Sequence, residues 1–384
     1  MREYWQKKPL LVRGAIPAFQ LAIEAGRPLE SPISTKELLS FATHDAVETR
    51  LVKANPWRLD RGPLAPKSIP KMGIKNWTIL LQGMEGHHEA AAKILSWFRF
   101  IPDSRLDDLM ISLASPGGGV GPHLDSYDVF LIQMSGRRRW RISTQTEHRF
   151  VEDVPLRILS NFKTENEWVV EPGDLLYLPP KVAHDGVALD PDTQTWSVGF
   201  RAPSWKELLQ ETLWHLAESL DDDPALAQIL EDPYQPATQT PAAIPQSLIN
   251  NLRKYFEKLP LQGNRLGTLL EEALGKTLSE PKPQVIFDSP DYPMSADTFL
   301  RAVEMKGLQV SPKTRIIANS KTIFCNGEVL IERQDSLSDF KKWEKFSHQR
   351  MFTAKECKSF FKIGDPLFEI SYEAYLDGWF ELGQ

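Results

Sequence analysis

The chain has 384 residues, 41% hydrophobic and 25% charged, which is close to average usage and excludes a wholly disordered or fibrous protein. Its formal net charge of −6 gives no global electrostatic reason to bind nucleic acid or an anionic membrane, and leaves room only for a local basic patch. At this length two or three domains are expected.

The start, Met1-Arg2-Glu3-Tyr4-Trp5-Gln6-Lys7-Lys8, is charged and precedes no long apolar run, so neither a signal peptide nor a membrane span is expected and the protein reads as cytoplasmic. Up to about residue 100 the pattern is mixed, with helical stretches at 35–43 and 87–98 among proline-punctuated loops. His87-His88-Glu89 contains a His-x-Glu spacing, but on a helix residues i and i+2 do not face each other, so it reads as a solvated helix start.

From about 106 to 202 short apolar runs at 109–114, 129–134, 137–142, 168–170, 175–178 and 195–200 alternate with Gly, Pro, Ser or Asp. Such spacing predicts an antiparallel sandwich or barrel. Within it lies Gly117-Gly118-Gly119-Val120-Gly121-Pro122-His123-Leu124-Asp125. In a strand, side chains at i and i+2 point to one side, so His123 and Asp125 can grip one ion together, with Tyr127 on the same side. A third ligand stands at His184, after the turn Glu171-Pro172-Gly173-Asp174, the alternating run 175–178 and Pro179-Pro180. Two histidines and one carboxylate form a triad that leaves open positions on Fe(II) for oxygen chemistry.

In Arg137-Arg138-Arg139-Trp140-Arg141-Ile142, Arg138 shares parity with Trp140 and Ile142, while Arg137, Arg139 and Arg141 take the other, solvated face. A cation on an inner face implies an anionic partner, either an internal Asp or Glu or the distal carboxylate of a 2-oxoglutarate-type cosubstrate. Arginine suits the second, because its planar fork can hold a carboxylate with two bonds. Ser112, on the run before the glycines, could donate to the same carboxylate, although by itself it reads as an ordinary strand serine.

After Arg201-Ala202-Pro203 the period changes. Ser204-Trp205-Lys206-Glu207 is a capping box, and Leu209, Leu213, Leu216, Ala217 and Leu220 fall on one helical face. Asp221-Asp222-Asp223-Pro224 interrupts it, and a connector carries Pro233, Pro236, Pro241 and Pro245. A second helix carries Leu248, Leu252, Tyr255, Phe256 and Leu259, and a third Leu266, Leu269, Leu270 and Leu274. Three helices make a thin core, so they are expected to pack on the barrel or on a second copy of the chain. Beyond a proline-rich stretch at 281–293, a helix, a strand at 314–318, a hairpin turning at Asn326-Gly327 and further helices fit a winged-helix-like module. Residues 294–384 carry 13 Lys or Arg and 13 Asp or Glu, a balance that weakens a nucleic-acid reading of the module. Cys325 and Cys357 lack metal-like spacing and read as reduced, structural thiols.

Together, Glu3 to Leu11, Asp107-Asp108-Leu109-Met110-Ile111-Ser112, the segment from Gly117 to Phe130 and Gly136-Arg137-Arg138-Arg139-Trp140 resemble the JmjC-type 2-oxoglutarate oxygenases, and more closely the bacterial ribosomal oxygenases among them. The resemblance implies an α+β architecture. A JmjC oxygenase domain would occupy 1–202, an N-terminal α/β lead-in followed by a double-stranded β-helix barrel of the cupin or jelly-roll type at about 106–202, with a helical dimerisation segment at 203–280 and a winged-helix-like module not used for DNA at 281–384. It further implies Fe(II) held by His123, Asp125 and His184, 2-oxoglutarate held by Arg138 and Ser112, and O2 as oxidant. The expected reaction hydroxylates an arginine of large-subunit ribosomal protein sixteen, with succinate and CO2 as co-products and a homodimer as the acting form. The competing readings are a JmjC-type demethylase, an RNA hydroxylase, and a transcription regulator with a cupin sensor.

Overall fold

Short β-prone runs broken by turn residues build eleven strands in the first half of the chain: β1 (Leu10–Val12), β2 (Thr49–Lys53), β3 (Arg58–Arg61), β4 (Trp77–Leu81), β5 (Leu106–Ala114), β6 (Val129–Ser135), β7 (Arg138–Ser143), β8 (Asn166–Val170), β9 (Leu175–Leu178), β10 (Ala183–Ala188) and β11 (Thr193–Phe200). The structure is a computed structural model that describes residues 1–27, 29–71, 73–218, 242, 244–258 and 263–383. Its contacts divide the chain into two units, one of Met1–Ala202 with two short later segments, the other of Pro203–Val285, Ser289–Val310 and Thr314–Gln384.

In the first unit the strands form an eight-stranded sheet ordered β1-β9-β6-β11-β5-β4-β2-β3 and a three-stranded sheet ordered β10-β7-β8. All neighbours are antiparallel. Val129 and Leu131 of β6 and Leu176 and Leu178 of β9 share one buried cluster with Trp140 and Ile142 of β7 and Val170 of β8, so the two sheets face each other. This is the antiparallel sandwich or barrel that the strand spacing predicts, and the double-stranded β-helix that the resemblance implies. On its other side the large sheet packs against helices α1 (Pro17–Glu24), α2 (Thr35–Phe41) and α3 (Glu89–Ser96), with Leu38, Ile94, Ile111, Trp196 and Phe200 in one core. Each such fully buried side chain contributes roughly 1.5–3 kcal/mol. Strands β1 to β4 were not read from sequence, because β1 is three residues long and β2 and β3 carry charges where alternation was sought.

The second unit opens with α4 (Trp205–Glu218), whose Ser204 and Glu207 exchange cap hydrogen bonds as the motif predicts. Helices α5 (Gln246–Lys258) and α6 (Gly263–Ser279) follow. Leu220, Asp221 to Pro224, Pro233, Pro236, Pro241 and Leu259 lie outside the described residues. Helix α6 packs on a sheet of β13 (Ile316–Ala318), β14 (Thr322–Cys325) and β15 (Glu328–Glu332), where Gly275 allows the Phe324 ring to approach closely. The β14–β15 turn is Asn326-Gly327, both at positive φ, the geometry that favours this dipeptide in two-residue hairpins. Around it stand α7 (Ala296–Lys306), β12 (Leu308–Val310), α8 (Leu337–Gln349), β16 (Met351–Phe352), α9 (Ala354–Phe360), α10 (Pro366–Leu376) and β17 (Phe380–Leu382). Cys325 and Cys357 are buried free thiols whose pKa burial pushes up, consistent with inert core residues.

Candidate metal centre

His184 lies inside β10, and His123 is its antiparallel partner in an isolated bridge. The two exchange both backbone hydrogen bonds, His123 N–H to the His184 carbonyl at 2.9 Å and His184 N–H to the His123 carbonyl at 2.8 Å. Opposed residues on one face bring side chains close, and the imidazole centroids are 4.2 Å apart. Asp125 joins them: one ligand atom from each of His123, Asp125 and His184 lies within 4.8 Å of the others. Among the described residues this is the one such group of three or more His, Cys, Asp or Glu.

The expectation that both His123 and Asp125 sit in a strand needs correction. Only His123 pairs, and the chain from Leu124 to Asp128 is loop. The ladder cannot extend because the Asp125 carbonyl accepts instead from Lys181 N–H at 2.8 Å, in the connection before β10. Tyr127 is 39% exposed in that loop, next to Asp125, and the nearby Asp125 and Asp108 add to burial in pushing its pKa up.

Each histidine is held by the carbonyl two residues before it: His123 Nδ1 bonds to Gly121 O at 2.8 Å and His184 Nδ1 to Val182 O at 2.9 Å. A carbonyl only accepts, so Nδ1 carries the proton in both rings and Nε2 is left as a free electron pair for a cation. His184 is 3% exposed, and burial first, then the neighbouring His123, holds its pKa below the ordinary histidine value. It therefore stands neutral, in its ligating form, at neutral pH.

That depression makes a stability prediction. In the unfolded chain this histidine takes up a proton near its ordinary pKa of about 6.5, while in the fold it resists. Metal-free protein thus loses stability as pH falls below about 6.5, with the excess loss carried by His184. Thermal melts from pH 7.5 to 5 check this: His184→Asn flattens the dependence, and equal slopes for both proteins contradict it.

Arg138 begins β7 and is 4% exposed, on the face it shares with Trp140 and Ile142. Its Nη2 donates to Ser112 Oγ at 3.3 Å, so the structure brings together the two residues singled out for a carboxylate. Its Nε is buried with no hydrogen-bond partner, and no carboxylate pairs with it among the described residues. Burial lowers its pKa to about 10, which leaves it charged at neutral pH. Asp185, the nearest acid acting on it, is bonded to Arg141 instead. The internal-partner alternative is therefore not realised, and the buried cation fits an anionic ligand. Trp140 stands between the two halves of the site, 5.7 Å from the Arg138 guanidinium and 5.8 Å from the His184 ring.

Of the arginines read as a solvated face, Arg137, just before β7, is exposed and pairs with Asp190, whereas Arg139 and Arg141 are half-buried, Arg141 paired with the buried Asp185. His88 caps α3, accepting Ala90 N–H at 3.1 Å, and His87 and His88 are half-buried rather than fully solvated. Sequence reasoning missed Asp128, which is fully buried three residues after Asp125 and accepts from Tyr177 Oη and Gln6 Nε2. The ring of Trp5 stacks on Tyr177 and Phe130, so the amino-terminal segment is clamped beside the loop that carries Asp125. Between Tyr127 and Val129, and three residues from Asp125, nothing in the local spacing signals that this aspartate is buried.

The comparisons agree with this geometry. The family description "JmjC domain" matches residues 93–208, and "ROXA-like winged helix" matches residues 262–363. The ribosomal protein uL16 3-hydroxylase of Escherichia coli K12 is 32% identical over 332 residues, covering 85% of this chain and 83% of its own. An X-ray structure of E. coli YcfD superposes with a TM-score of 0.76 at 29% identity, covering 99% of this chain and 96% of that one. Another, of the same E. coli ribosomal oxygenase in complex with cobalt and 2-oxoglutarate, gives a TM-score of 0.73 at 27% identity, over 100% and 97% of the two chains.

Proposed function

This chain belongs to the JmjC-type bacterial ribosomal oxygenases, and from that membership we propose that it hydroxylates an arginine side chain of ribosomal protein uL16, using Fe(II), 2-oxoglutarate and O2. The observation that carries the cosubstrate is the buried, unpaired Arg138 facing the same interior as the triad. His123, Asp125 and His184 would hold the iron, two neutral donors and one charge on a dication. When bound, iron and cosubstrate supply oxidative decarboxylation to succinate and CO2 and deliver one oxygen atom to a substrate C–H bond.

The chain's own residues bind and orient. Gly121 and Val182 fix the ring tautomers, and Arg138 with Ser112 anchors the far carboxylate of the cosubstrate. Asp185 is neutralised by Arg141, so it does not compete for that anchor. Half-exposed Tyr127 stands beside Asp125. An exposed aromatic ring next to the triad suits a guanidinium by stacking on its face.

We further assign α4 to α6 to a homodimer contact, supported by Trp205, Leu209, Leu213 and Trp214 at 58–81% exposure on α4. The balanced charge of residues 294–384 supports a terminal module that does not bind DNA. No helix among the described residues is long and apolar enough to cross a membrane. The ribosomal substrate of the reading above supports a reaction in the cytoplasm.

Incubating the protein with Fe(II), 2-oxoglutarate and a uL16 fragment should add one oxygen to an arginine, read by peptide mass spectrometry. Loss of a methyl group from a methylated peptide, or oxygen on another residue type, refutes the arginine assignment.

A further inference from the structure

In a chain of net charge −6, residues 50–76 carry seven Lys or Arg and a single acid, Asp60. The segment comprises β2, the edge strand β3 and the loop leading to β4. Arg58, Arg61, Lys67, Lys71 and Lys75 are exposed, and none has an ion-pair partner among the described residues. The strand register puts Arg50 opposite Arg61 and Lys53 opposite Arg58. Like charges directly opposite each other destabilise a sheet. Lysine on an edge strand commonly blocks edge-to-edge aggregation, but that purpose needs no facing pairs of equal sign.

The segment is anchored beside the residues that lead to His123. Trp57, in the β2–β3 turn, would lie 3.1 Å from a side chain at Gly121, whose carbonyl holds His123, and φ of +79° keeps that position for glycine. At the other end Asn76 N–H donates to Pro116 O at 3.0 Å and its side chain crowds Gly117. Ala54 N–H closes the loop on Asn76 O at 2.9 Å. Trp57 and Asn76 of the basic segment thus both touch the glycine run leading to His123. The side chain of Arg50 adds its charge near Tyr127, in the loop that carries Asp125.

We infer that this basic edge binds the phosphate backbone of RNA next to the reacting side chain, so that the substrate protein is met while it is bound to ribosomal RNA. A basic ribosomal protein would be repelled by these cations, whereas the RNA that it sits on is attracted to them. The RNA contact rests on charge and placement alone; the presentation of substrate on RNA rests on the reaction proposed above.

The test is fluorescence anisotropy of the full-length protein with a labelled 20-nucleotide oligouridylate across a salt series. Four or five phosphate contacts give log Kobs a slope of about −3 against log salt, at roughly 0.7 per contact. Combining Arg58→Gln, Lys67→Gln, Lys71→Gln and Lys75→Gln should weaken binding at least tenfold and bring the slope near zero. Turnover of a free uL16 peptide should not fall, since none of these residues belongs to the metal or cosubstrate site. Absence of RNA binding by the unaltered protein in dilute salt overturns the inference. So does an unaltered slope in the quadruple variant, or binding to phosphatidylserine vesicles without binding to RNA. Failure of the unaltered protein to oxidise the peptide counts against the reaction alone, because the anisotropy is read without it.

Discussion

Asp125→Ala is expected to abolish turnover and metal binding together while leaving the fold intact. The carboxylate contributes the single negative charge of the triad, and it stands 3.6 Å from His184 Nε2. Changing groups that merely orient a ligand costs about 10–100-fold in metal affinity, so removing the charged ligand itself costs more than that. The side chain is 23% exposed, and the backbone link from Lys181 to Asp125 O does not depend on it, so folding should be spared. Titration with Co(II) or anaerobic Fe(II), alongside succinate release, measures both effects. Succinate formation at the normal rate in Asp125→Ala would remove the metal assignment, and Asp125→Asn should behave like alanine because the charge rather than the shape is required.

Arg138→Met should move two quantities in opposite directions. A buried guanidinium whose Nε has no partner and which holds only one long bond to Ser112 is an energetic burden on the empty protein. Replacing such a charge by an apolar side chain of similar length is neutral or stabilising, by about 1–4 kcal/mol when a buried ionic group is exchanged this way. The melting temperature of cosubstrate-free protein should therefore hold or rise. The cosubstrate, by contrast, loses its charged anchor: a hydrogen bond to a charged group is worth roughly 1.5–3 kcal/mol, so the 2-oxoglutarate requirement should rise about 10–100-fold. Metal affinity should stay within a factor of about two, since no ligand atom of the triad belongs to Arg138. Unchanged kinetics with 2-oxoglutarate would refute the role. A fall in stability would mean that the guanidinium is structural.

The residue chemistry of the site was legible because it depends on short spacings. Parity along 137–142 was enough to turn Arg138 inward, and β7 shows it, with buried and half-buried residues alternating from Arg138 to Ile142. The turn at Asn326-Gly327 followed from the same local logic, since few other residues accept positive φ twice in succession. Reasoning of this kind failed where the chain is held by distant partners. Asp125 was placed in a strand on the strength of its spacing from His123, yet its backbone is bonded to Lys181. Asp128 is buried by partners as distant in sequence as Tyr177 and Gln6, and no local spacing announces them.

By itself, then, the sequence determined which groups could act: two imidazoles and a carboxylate as ligands, an inward arginine, and the strand and helix periods around them, all consequences of dihedral preference and side-chain alternation within a few residues. Only the tertiary structure decided which of them meet. It set His123 opposite His184 across 61 residues of chain, denied Arg138 an internal acid, and laid the basic β2–β3 edge against the glycine run. Those outcomes depend on strand pairing and on what is excluded from a buried space, and neither is written in any local window of sequence.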